Sequence, residues 1–260
     1  MTNNVTIQSI TDDLVLIFDT ETTGLPPLHN KKFVGLTLIN ADEFPYIVQL
    51  SYIIFNNKTN KIIFQSDNIL QLPDGIVNTP GSTKIHGLTD EMCKNQGVDR
   101  NTEIIKFMEH IGIVNTIVCH NTVFDFLIIK GELIRFLNLA IANNNVNNKK
   151  MYTIFLNTLQ YKDKNNSFCT MHKTTSVCRL WHINKVSQKK WKGRCGDENE
   201  FKWPKLSELH EHLFNVTPKN LHNSFNDVII CFRCYYFLTN NIDLFDISEE
   251  FRELFAPLIL

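Results

Sequence analysis

The sequence predicts an α/β fold, on two observations: three strand-like runs follow one another early in the chain, and helical and strand-like periodicities alternate after them. Residues 14–19 open with Leu14-Val15-Leu16-Ile17-Phe18, apolar at every position, which reads as a central strand covered on both faces. Residues 47–55 and 61–70 read as the next two strands, with Asn56-Asn57-Lys58-Thr59-Asn60 as a hairpin-like connection. Residues 101–112 read as a helix, 117–120 as a short strand, and 122–138 as a helix carrying Leu127, Ile128, Leu133, Phe136 and Leu137. Residues 143–150 are a polar, asparagine-rich stretch that reads as a mobile surface linker. A further helix runs through Val228, Ile229, Phe232 and Tyr236, and residues 248–255 read as a last amphipathic helix packed on the outside. There is no internal repeat.

Composition fits one soluble domain over residues 1–260, with 43% hydrophobic residues to build a core. No apolar run approaches the length of a membrane span. The N-terminus lacks the basic and apolar regions of a signal peptide, and seven cysteines without an export signal read as reduced thiols, so an intracellular protein, cytoplasmic or nuclear, is expected. The chain holds 30 Asn, and Lys outnumbers Arg 20 to 6, a bias expected of an A/T-rich genome such as a parasite, a symbiont or a large DNA virus. A net charge of −1 argues against gripping long duplexes by bulk electrostatics.

The most informative stretch is Asp19-Thr20-Glu21-Thr22-Thr23-Gly24, behind the first strand. Side chains alternate along a strand, so Asp19 and Glu21 point the same way and repel. A shared proton, an arginine or a hard divalent cation could offset that repulsion. No Lys or Arg lies within ten residues before the pair or nine after it, which favours the cation. Asp125 follows His120-Asn121-Thr122-Val123-Phe124, where Asn121 or Thr122 can cap a helix and leave Asp125 in its first turn, a favourable place for a carboxylate. Asp227 stands five residues after His222 at the start of the later helix.

In this order the motifs resemble the DEDD exonuclease superfamily, in the branch with a catalytic histidine that includes polymerase proofreading subunits, ribonuclease T and three-prime repair exonucleases. Ile85-His86-Gly87-Leu88-Thr89 and Pro204-Lys205-Leu206-Ser207-Glu208-Leu209 resemble two further family segments. The resemblance implies a ribonuclease H-like fold, a mixed central sheet flanked by helices with the carboxylates converging at its centre. It implies catalytic roles for Asp19, Glu21, Asp125, His222 and Asp227, the four acids holding two Mg²⁺ ions, for which Mn²⁺ can substitute. Histidine ordinarily titrates near pH 6.5, which suits His222 to take the proton of the attacking water. The resemblance further implies 3′–5′ attack on a nucleic acid with a free 3′ end, releasing nucleoside 5′-monophosphates. Thr22, Gly24, Leu25, Ile85 and His86 would hold the terminal nucleotide. Single-stranded DNA is the expected substrate, with RNA end-trimming as the alternative, a non-catalytic nucleic-acid-binding module as a third reading, and a polymerase as a possible partner.

Three departures are visible. Ser224 stands where the family usually has Ala, and Cys169-Thr170 where relatives often carry Asp-Thr. Stretches near 26–44, 140–166 and 182–203 read as insertions, and substrate choice is set by such loops. The last contains Lys185, Lys189, Lys190, Lys192 and Arg194 around Trp191 with no acid among them, a pattern suited to a single strand's phosphates and bases. Cys178, His182 and Cys195, with Cys169 or His172, match no common zinc spacing, and Cys231 and Cys234 read as packing groups in a helix.

Overall fold

The computed structural model describes residues 13–29, 32–180 and 201–260. Strand β1, Leu14–Thr22, is followed by a two-stranded ribbon of β2, Leu28–His29, and β3, Lys32–Phe33, then by β4, Ile47–Asn56, and β5, Lys61–Ile69. Helices α1, Pro80–His86, α2, Asp90–Gln96, and α3, Arg100–Ile113, lead to β6, Thr116–Cys119. Next come α4, Thr122–Ala142, α5, Val146–Asn165, β7, Ser167–Cys169, and α6, Thr170–Cys178. Helices α7, Leu206–Phe214, α8, Ser224–Asn240, and α9, Glu249–Ile259, complete the chain.

The main sheet has the order β5-β4-β1-β6-β7, antiparallel on the β4 side of β1 and parallel on the β6 side. This is the mixed sheet with flanking helices that the resemblance implies. The apolar character of β1 has a direct cause. Leu14, Leu16 and Phe18 face a core shared with α3, α4 and α5, whereas Val15 and Ile17 face a second core built with α7, α8 and α9. Both layers are needed to keep a strand of this kind dry. The alternation carries on past the apolar run, so Asp19 and Glu21 emerge on the α8 face and Thr20 on the α4 face.

The expected linker at 143–150 is helical from Val146 onward. Asn145 caps α5, its side chain accepting the Asn148 N–H, so the asparagines mark a helix start after a two-residue turn. Tyr152 and Leu159, seven residues apart, bury one face of α5, and the Tyr152 hydroxyl donates to Asn101 at 2.5 Å. The 26–44 stretch is anchored at its end by buried charge. Arg135 Nη2 donates to the carbonyls of Ala41 at 2.9 Å and Phe44 at 2.6 Å. Glu132 Oε1 accepts from Arg100 at 2.6 Å and from the Ile47 N–H at 2.9 Å. No helix among the described residues is long and apolar enough to cross a membrane.

Candidate active site

Asp19 and Glu21 leave the end of β1 on the α8 side, and Asp227, in the first turn of α8, meets them there. One carboxylate oxygen from each of the three lies within 4.8 Å of the others. Among the described residues this is the group of acids, histidines or cysteines close enough to share an ion. Asp125 approaches from the other layer, in the first turn of α4, and its Oδ1 accepts the Thr20 hydroxyl at 2.9 Å. The helices therefore bring Asp227 to one face of the strand and Asp125 to the other. Two helix N-termini, those of α4 and α8, point at the cluster and favour negative charge there.

The electrostatics match a cation-binding centre. Burial, then the charges of Asp125, Asp227 and Glu21, push the Asp19 carboxyl well above the usual range. Burial and the charges of Asp227 and Asp125 push Glu21 up to about 8. Burial raises Asp125 to about 7 against the opposing Thr20 hydrogen bond, and raises Asp227 to about 7 against the His222 N–H. Carboxylates that resist ionisation when crowded together are a donor set that a hard divalent cation would relieve, and the residues fit such an ion.

His222 lies just before α8, exposed, with φ +67°, and its backbone N–H donates to Asp227 Oδ2 at 3.0 Å. The left-handed turn ties the backbone of this exposed histidine to an acid of the cluster. Ser224 has a use that Ala could not serve: its hydroxyl donates to the Asp19 carbonyl at 2.9 Å.

The motif after β1 is clamped to its neighbours. Thr23 N–H donates to Tyr46 O, and Thr79 N–H and the Ser82 hydroxyl both donate to Thr23 O, each at 2.9 Å. Thr22 is buried and its hydroxyl donates to the Gly24 carbonyl at 2.7 Å. Gly24 passes Thr79 so closely that a Cβ would stand 3.3 Å from its methyl group. On the two segments joined by these bonds, Leu25 is 81% exposed and Ile85 60% exposed. His86 is half-buried, its Nδ1 accepting the Leu88 N–H at 3.0 Å; burial lowers its pKa and the Thr22 carbonyl opposes that.

His120 is a strut. Nε2 meets the Pro204 carbonyl at 3.0 Å, and because that carbonyl only accepts, Nε2 carries the proton and Nδ1 accepts the Thr170 hydroxyl at 2.9 Å. Its burial lowers its pKa to about 4. Thr170, in the Cys-Thr departure, thus helps fix the end of β6. Beside the same strut, Trp203 is 51% exposed and its ring lies 5.3 Å from that of exposed His172. Sequence reasoning did not single out Trp203, Thr20 or Gln49; a polar residue interrupting the apolar β4 was the available signal for the last. Lys189, Lys190, Trp191 and Lys192 lie outside the described residues, as do His182 and Cys195 of the zinc reading. Cys231 and Cys234 are buried in α8 as packing groups.

The fold has known counterparts. E. coli exonuclease I in complex with a dT13 oligonucleotide superposes with a TM-score of 0.57 at 14% identity, over 88% of this chain and 41% of that one. Its complex with a dA16 oligonucleotide gives a TM-score of 0.55 at 15% identity, over 94% and 43%. The zinc ion-bound form of the E. coli exonuclease I–single-stranded DNA complex gives 0.56 at 16%, over 94% and 43%. At such identities the likeness is one of fold, and the chain spans less than half the length of those proteins. No curated protein sequence matches the chain. The Exonuclease family model RNase_T matches residues 16–155, more than half of the sequence. The chain therefore belongs to this exonuclease family of the DEDD superfamily, whose members are nuclease hydrolases.

Proposed function

We propose that this protein is a 3′–5′ exonuclease that removes nucleoside 5′-monophosphates from the free 3′ end of single-stranded DNA. The observation that carries the reading is the convergence of Asp19, Glu21 and Asp227 within 4.8 Å. Asp125 stands on the other side of β1, and His222 beside Asp227. Asp19, Glu21 and Asp227 would hold one divalent ion, and Asp125 with Asp19 would help hold a second, with Mg²⁺ favoured by the all-oxygen donor set and Mn²⁺ as a substitute. Such ions lower the pKa of water and neutralise charge on the departing oxygen.

The chain's own groups supply the rest. The exposed imidazole of His222 takes the proton of the attacking water. Leu25 and Ile85 offer apolar surface to the terminal base, with Thr22, Gly24 and His86 lining the turn between them. The exposed Trp203–His172 pair gives a further base a stacking surface, and the basic run around Trp191 supplies charge for the phosphates. The oligonucleotides held by the similar exonuclease I structures favour DNA as substrate. A polymerase partner has no support in these likenesses.

The test is digestion of end-labelled strands of matched sequence, DNA and RNA, single and paired, with Mg²⁺. Shortening of single-stranded DNA from the 3′ end is the expected result. Faster shortening of RNA would replace DNA by RNA in the reading, and no shortening of any strand would overturn it.

A further inference from the structure

We propose that Gln49 is a positioning residue for cation capture, setting through Ser224 the seat of the first turn of α8 on β1. The inference rests on the reading of the cleft as a divalent-cation centre. Gln49 is 3% exposed in a strand whose neighbours are otherwise apolar or small, and a buried amide is costly unless both its ends are bonded. Both are. Nε2 donates to Asp67 Oδ1 at 2.8 Å, and Oε1 accepts the Ser224 N–H at 3.2 Å. A carboxylate only accepts and a backbone N–H only donates, so the two partners fix the amide's orientation without ambiguity.

The bonds link up. Ser51, opposite Asp19 in the strand register, donates to the same Asp67 oxygen at 2.8 Å, and the Ser224 hydroxyl donates to the Asp19 carbonyl at 2.9 Å. Asp67, Gln49, Ser224 and Asp19 thus form one run of contacts from β5 across β4 to α8 and back to β1. Ser224 is the first residue of α8 and Asp227 lies one turn on, so the seat of Ser224 sets how far the Asp227 carboxylate stands from Asp19 and Glu21. The register also places Gln49 opposite Glu21. A carboxylate at this position would add a further negative charge beside the cluster, whereas the amide gives the same acceptor without charge.

The test compares wild type with Gln49→Met, which keeps length and loses both bonds, with Asp67→Ala, and with the double variant. Calorimetric titration of the metal-free protein with Ca²⁺ reads binding apart from turnover. Gln49→Met should weaken binding by about tenfold to a hundredfold, the range for lost groups that orient ligands. The metal-free melting temperature should stay within a few degrees of wild type, as expected for an effect on ligand spacing. The Mg²⁺ concentration for half-maximal cleavage should rise by a like factor, with kcat recovered at saturating Mg²⁺ and KM for the strand unchanged. Asp67→Ala, which removes the acceptor of Gln49 Nε2, acts through Gln49, so it should weaken binding when alone and add nothing to Gln49→Met. Unchanged Ca²⁺ affinity in Gln49→Met would overturn the proposal. So would a loss in metal-free stability that Mg²⁺ does not repair, since that marks a purely structural group. Wild-type protein that binds no Ca²⁺ or Mg²⁺ would instead remove the cation centre itself.

Discussion

At the scale of single residues, the site is a set of acids placed where none of them is comfortable. Asp19→Asn and Asp227→Asn should each lower turnover by several orders of magnitude in the end-labelled assay, because each would replace a charged carboxylate of the three-acid cluster by a neutral amide. Near-normal turnover in either would sink the cation mechanism. His222→Ala should lose most activity while keeping its response to Ca²⁺ in a melting scan, since His222 faces solvent and bonds Asp227 through its backbone. The raised carboxyls also make a pH prediction. Glu21, Asp125 and Asp227 hold protons up to about 8, 7 and 7 in the folded, metal-free protein. The unfolded chain releases them near about pH 4. Their protonation therefore favours the fold fully below about pH 4, and that contribution is lost as pH rises through 7 and 8. In EDTA the melting temperature should fall over this window, and Asp19→Asn should flatten the fall. A metal-free melting temperature that rises from pH 5 to 8 would contradict the crowding.

Elements differ in how plainly the sequence announces them. β1 was legible because a strand covered on both faces must be apolar throughout, and its two acids because alternation sends them to one side. Asp125, His222 and Asp227 were legible from their helix starts and their order along the chain. The partner across β1 was not, since Thr20 meets Asp125 over 105 residues of separation that no local pattern reports. Helix α5 was misread because asparagine is a poor interior helix former and a good cap, and its first residues show the second role. The short β7 and α6 carry few large apolar residues, and contacts with β6 and α8 decide them. The segment before β4 depends on charge buried far away in sequence. Glu132→Ala would leave Arg100 and Arg135 buried beside each other without their shared carboxylate, and should cost about 3–5 kcal/mol. Urea unfolding measures this, and a loss below about 1 kcal/mol would show that the guanidinium contacts to backbone carbonyls suffice.

At the scale of the whole molecule, helical layers cover the two faces of one sheet, and the acids gather at the end of β1, with Asp227 supplied from one layer and Asp125 from the other. Added Mg²⁺ should stabilise the fold by about 2.7 kcal/mol at a hundredfold excess over its Kd, which a melting curve would register. Charge along the chain is also uneven, and replacing Lys189, Lys190 and Lys192 by Glu should raise KM for long single strands while sparing a dinucleotide. Equal loss on both would assign these lysines to the fold instead. The buried thiols give the molecule a built-in clock. Cys93, Cys119, Cys169, Cys178, Cys231 and Cys234 are all free and all buried, so a thiol reagent can reach them only when the surrounding structure opens. Burial, and then the nearby charges of Asp125, Cys231, Cys169 and Asp19, raise the pKa of Cys119, whereas Cys93, in α2, packs with Val48 and Leu88. Site-by-site labelling followed by mass spectrometry would therefore time openings at the centre and at the edge separately, with a divalent cation slowing Cys119 and Cys231 more than Cys93.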